Sequence, residues 1–62
     1  MFEIIYRESR DIITWFDTRE EAETALNHYA RMDLLEELED GEKPNWDNLG
    51  QYKWAYEIRK VM

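Results

Sequence analysis

A chain of 62 residues without cysteine has room for one domain and neither disulfides nor thiolate-bound zinc to reinforce it. Folding at this size buries only about 60% of the surface that the unfolded chain exposes, so the nine aromatic residues must supply most of the core. The net charge of −7 is concentrated: Asp17 to Asp47 carries eleven acids against Arg19, Arg31 and Lys43, while the remaining residues carry four acids and five bases. This field argues against direct contact with nucleic acid or an anionic membrane, and it favours a basic partner.

From the N-terminus, MFEIIYRE has neither the basic segment nor the cleavage site of a secretory leader, and no apolar run approaches the roughly 20 residues of a membrane span. A soluble, cytoplasmic protein is the expectation. FEIIYRE and IITWFD are rich in β-branched and aromatic residues and flank Ser9-Arg10-Asp11, so they read as a hairpin whose turn lacks glycine. Alternation places Phe2, Ile4 and Tyr6 on the core face of the first strand and Glu3, Ile5 and Arg7 on the other. In the second strand Ile12, Thr14 and Phe16 compete with Ile13, Trp15 and Asp17 for the core.

Next, Thr18 followed by Glu21 is a capping box, with Glu20 and Glu21 suited to the positive end of a helix. At about 100° per residue, Ala22, Ala25, Leu26, Tyr29 and Met32 form one apolar stripe. Leu34, Leu35 and Leu38 fall roughly 160° away from it, and one straight helix cannot bury both sets on one sheet. The expectation is a break near Met32-Asp33, where Asp33 and Glu36 suit a second cap, with the leucines covering the sheet end. The alternative is a continuous helix presenting three leucines outward to a partner or a second copy. Gly41 to Gln51, with Pro44, Asn45, Asn48 and Gly50, reads as a loop. In the final segment Tyr52, Trp54, Tyr56 and Ile58 alternate with Lys53, Ala55, Glu57 and Arg59, a strand pattern. The expected fold is α+β in the order β-β-α-β: a three-stranded antiparallel sheet in spatial order 2-1-3, with the helix on one face.

The remaining signal is charge. Asp33, Glu36, Glu37, Glu39 and Asp40 put five acids on eight residues, about one per 2.4 Å if helical, against one per roughly 1.7 Å on duplex DNA. Like charges so placed repel, which a small fold can ill accommodate without a use for them.

Catalytic and metal chemistry are hard to assemble. The single histidine, His28, has Thr24, Ala25, Arg31 and Met32 as its helical neighbours, none of them a carboxylate to orient it. The single serine, Ser9, lies in the predicted turn without a base nearby in sequence. Glu39-Asp40-Gly41-Glu42 lacks the alternating oxygen ligands of a calcium loop, and Gly41 and Gly50 belong to no phosphate-cradling motif. Arg7, Lys53 and Arg59 are expected on the open sheet face, where Glu3 and Glu57 would pair with them across strands.

In size and charge alone, without a shared motif, the chain resembles the small acidic inhibitors of phages and other mobile elements, anti-restriction and anti-CRISPR proteins among them. That resemblance implies a non-enzymatic protein, without cofactor or metal, that blocks the nucleic-acid-binding surface of a basic target. The expected contact residues are Asp33, Glu36, Glu37, Glu39, Asp40, Glu42, Trp46 and Asp47, with Trp46 as an aromatic anchor. The alternative is a homodimeric structural or adaptor module joined through Leu34, Leu35 and Leu38 or through the open sheet face.

Overall fold

The computed structural model describes residues 1–61. Strands β1 (Phe2–Tyr6) and β2 (Ile12–Phe16) form the hairpin, helix α1 (Arg19–Glu36) follows, a single 3-10 turn (Trp46–Asn48) leads into the short helix α2 (Leu49–Trp54), and strand β3 (Tyr56–Lys60) closes the sheet. The sheet is antiparallel in the order β2-β1-β3, as the sequence implies.

The hairpin turn closes through the Tyr6 N–H on the Asp11 carbonyl and the Arg10 N–H on the Tyr6 carbonyl, at 2.9 and 2.8 Å. Arg10 takes φ +64° there, a conformation that normally favours glycine or asparagine. The register of β2 resolves the ambiguity over its faces. Phe16 and Thr14 lie across from Phe2 and Ile4 on the helix side, Trp15 lies across from Glu3 on the open side, and a bulge at Ile12–Ile13 brings Ile12 across from Ile5.

Thr18 caps α1, accepting the Glu21 N–H at 3.2 Å and donating its hydroxyl to the Glu21 carboxylate at 3.0 Å. The helix does not break at Met32-Asp33; it runs unbroken to Glu36. Its buried residues are Ala22, Leu26, Ala30 and Leu34, a spacing of four that advances about 40° at each step and winds the apolar stripe around the helix. The early part of that stripe meets the sheet, where Ala22 and Leu26 pack with Ile4 and Tyr56. Leu34 has turned towards the α2 side, sharing a small cavity with Leu38 and Tyr52. The expectation of a break assumed that only the sheet could cover the helix, whereas α2 provides a second covering surface. The three leucines accordingly separate: Leu34 is buried, Leu38 half-buried and Leu35 exposed. Met32, assigned to the core stripe, is exposed as well.

The last segment also differs from its pattern. Residues Tyr52 to Trp54 are helical, β3 starts only at Tyr56, and Trp54 is 69% exposed instead of sitting in the core. Lys53 therefore lies on α2 and not on the open sheet face. Only Tyr52 and Trp54 of that alternation fall within α2, and two residues fix no period when the flanking loop already contains a helix start. Here the 3-10 turn, capped by Asn45 through the Asp47 N–H at 3.1 Å, supplies that start.

Candidate protein-binding surface

The seven acids between Asp33 and Asp47 occupy three local structures. Asp33 and Glu36 lie in the last turn of α1, and Glu37 is its C-cap. Glu39 to Glu42 form a turn closed by the Glu42 N–H on the Glu39 carbonyl and by the Glu39 N–H on the Glu42 carboxylate, at 3.0 and 3.1 Å. Gly41 takes φ +84° there, which a side chain would oppose. Asp47 follows in the 3-10 turn. Because the helix ends at Glu36, the acids do not continue as the charged helical rod that their sequence spacing suggests, and Glu36 and Asp40 are not stacked on one helix face.

Two of the acids accept hydrogen bonds from tyrosines, one half-buried and one at the surface. Asp33, half-buried, accepts the hydroxyl of the buried Tyr56 at 2.5 Å. Tyr56 also meets Tyr6 edge-on at 5.5 Å between ring centres and Tyr29 at 5.7 Å. Burial first, then the hydrogen bond and charge of Asp33, push the Tyr56 phenol well above its usual range. Glu37 accepts the Tyr52 hydroxyl and thereby ties the end of α1 to α2. That bond, more than burial, raises the Tyr52 phenol. With Glu36 and Gln51, these two acid–tyrosine pairs border an open groove of about 580 Å³ between α1, α2 and the start of β3.

Glu36, Glu39, Asp40 and Asp47 remain exposed, and among the described residues none of the seven acids forms an ion pair. The last turn of α1 carries no basic residue, so Glu36 and Glu37 sit where the helix dipole disfavours anions. Trp46 is half-exposed, and its ring lies 5.8 Å from the Arg31 guanidinium. That places a flat aromatic surface beside the acids and ties it to α1 by a cation–π contact.

Sequence reasoning overlooked the tyrosines. Tyr52 and Tyr56 both fall in the strand pattern of the sequence, yet each orients an acid of the candidate surface. Tyr52 lies on α2 and Tyr56 opens β3, so no single periodicity links them, and nothing in the chain shows which acid each hydroxyl meets.

Other chemistry is sparse. His28 is exposed beside Phe16, Glu20 and Glu21. Among the described residues no group of three or more His, Asp or Glu side chains is arranged to hold a metal ion, and no helix is long and apolar enough to cross a membrane. No protein family, curated protein or solved structure matches the chain.

Proposed function

We propose that the protein is a non-enzymatic binding module whose acidic end, built by Glu36, Glu39, Asp40 and Asp47 with Glu37, Glu42 and Trp46, docks on a basic protein that otherwise grips nucleic acid. The observation that carries this reading is the absence of ion pairs throughout this stretch among the described residues, at a helix end whose dipole already opposes anions. A cationic surface would relieve both the mutual repulsion and the adverse dipole, so binding and local stability would rise together. Asp33 acts from behind, positioning Tyr56 instead of meeting the partner. Inhibitors of the phage or mobile-element type, which compete with nucleic acid for a basic cleft, are the class with this charge and size.

The test is capture of the partner from host extract, with nucleic acid as competitor. The unmodified protein should retain a basic protein that salt or duplex DNA releases. A variant with Glu36, Glu39 and Asp40 changed to lysine should retain none of it. Retention of the same partner by that variant, or simultaneous binding of DNA and this protein, would overturn the reading.

A further inference from the structure

The turn Glu39-Asp40-Gly41-Glu42 is closed by the Glu42 N–H on the Glu39 carbonyl, and Gly41 in its third position takes φ +84°, the arrangement of a type II turn. Such a turn leaves its central peptide without a bond of its own. Neither the Asp40 carbonyl nor the Gly41 N–H is hydrogen-bonded among the described residues, and both residues are exposed. Outside the neighbouring residues, no heavy atom lies within 4 Å of where a Gly41 Cβ would sit. The Asp40 carboxylate enters no ion pair and accepts no hydrogen bond among the described residues. No other aspartate or asparagine of the chain is placed in this way. Asp11 and Asp17 precede the β-branched Ile12 and Thr18, and Asp33 precedes Leu34 inside α1. Asp47 precedes Asn48, whose N–H is bonded to the Asn45 carbonyl at 3.1 Å. The three asparagines precede His28, Trp46 and Leu49, whose side chains crowd the adjoining nitrogen.

We infer that Asp40–Gly41 is a site of spontaneous isoaspartate formation in the folded protein. The Gly41 nitrogen attacks Cγ of Asp40, whose carboxyl is in its neutral form. A Cγ–N bond forms and a Cγ–O bond breaks, the hydroxyl leaves with the amide proton as water, and a five-membered succinimide results. Water then adds to one of the two ring carbonyls and breaks its bond to nitrogen. Opening at Cγ restores aspartate. Opening at the Asp40 carbonyl carbon instead leaves the backbone running through Cγ, with one extra methylene in the chain and the α-carboxylate as the side group. One water is lost and one regained, so the step needs no oxidant, reductant or other co-reactant. Glycine suits the attack for two reasons: it puts no side chain beside the nitrogen, and it tolerates the rotation of the central peptide that brings nitrogen to Cγ. The lengthened backbone no longer matches the closure between Glu39 and Glu42, so the change redirects Glu39 and Asp40 at the acidic end. The chemistry requires no partner and holds or fails independently of the docking reading.

Incubation of the intact chain in heavy-oxygen water for weeks at body temperature, followed by protease digestion and mass spectrometry, tests the inference. The peptide that contains Asp40 should gain one heavy oxygen atom, and fragment ions should place it on Asp40. The same peptide should separate into two forms of equal mass, one with aspartate and one with isoaspartate. Asp40→Glu keeps the charge and cannot close a five-membered ring, so it should lose both the label and the second form. Its circular dichroism should match the parent's, because the turn lies outside the core. An unlabelled Asp40, or label spread equally over Asp33 and Asp47, would overturn the inference. So would label that persists in Asp40→Glu, which would mark simple exchange of carboxylate oxygen, or label at Asp40 without an isoaspartate form.

Discussion

On the open face of the sheet, Glu3 is 3% exposed and takes both Arg59, through its Nε at 2.6 Å, and the Trp15 indole N–H at 3.2 Å. Glu57 beside it holds Arg7 at 2.8 Å. At the far end of α1, by contrast, Glu36, Glu39, Asp40 and Asp47 are exposed, and none of them forms an ion pair among the described residues. The difference shows which charges serve the fold. A carboxylate taken out of water destabilises the fold unless it is paired and hydrogen-bonded, whereas one left in water can stay unpaired at a cost of a few tenths of a kcal/mol. Charge on the sheet is therefore structural, and charge at the helix end is available for another purpose.

The sharpest way to break the sheet side of this comparison is at the residue beneath it. Ile4 is fully buried between Ala22, Leu26 and Tyr56, and Ile4→Ala should cost about 2–5 kcal/mol, a large share of the stability available to so small a domain. A thermal melt close to that of the parent would mean that the core lies elsewhere. Next in size is Glu3→Gln, which keeps the shape and removes the charge that Arg59 and Trp15 share. The expected loss is about 1–3 kcal/mol, towards the lower figure because Arg59 remains half-exposed and can turn to water. Denaturant unfolding would measure it.

Asp33, half-buried and hydrogen-bonded to Tyr56, behaves like the acids of the sheet. Tyr56→Phe removes its partner and should cost about 1 kcal/mol. Because the Tyr56 phenol is raised in the fold, the unfolded chain loses that proton first, near pH 10. The stabilisation from Tyr56 is therefore fully present below about pH 10 and is lost as pH climbs from there towards the folded value. Melting temperatures of the parent should fall over that alkaline range, and Tyr56→Phe should make the fall shallower. An identical pH profile in the variant would mean that the Asp33–Tyr56 bond does not shape stability.

Much of this contrast was legible in the sequence, and the parts that were not share a cause. The hairpin, the Thr18 cap and the 2-1-3 order followed from local patterns, and the pairing of Glu3 and Glu57 with arginines followed from strand alternation. Where two elements share one covering surface, local pattern failed. The stripe Ala22-Leu26-Ala30-Leu34 is continuous only if α2 exists to cover its end, and α2 was concealed by an alternation of Tyr52, Trp54 and Tyr56 that suits a strand. The concentration of acids between Asp33 and Asp47 is plain in the sequence, but their division into Asp33 and Glu37, which hold tyrosines, and the unpaired remainder depends on that same unseen helix.

The smallest effect is the most informative about the acidic end. Changing Glu36, Glu39 and Asp40 to lysine should leave the fold intact and raise its stability by a few tenths of a kcal/mol, because Glu36 occupies the last turn of α1 and a cation there suits the dipole. For a domain of this length that is a rise of roughly 1–4 °C in melting temperature. The gain should vanish in about 1 M salt, where the screening length falls to about 3 Å. Glu37 and Asp33 are left unchanged in this variant so that the bonds to Tyr52 and Tyr56 persist. A substantial loss of stability would show that the exposed acids are structural after all, and the contrast with the sheet face would collapse. A gain accompanied by loss of the basic partner would show instead that stability had been given up at this end to keep a surface that binds.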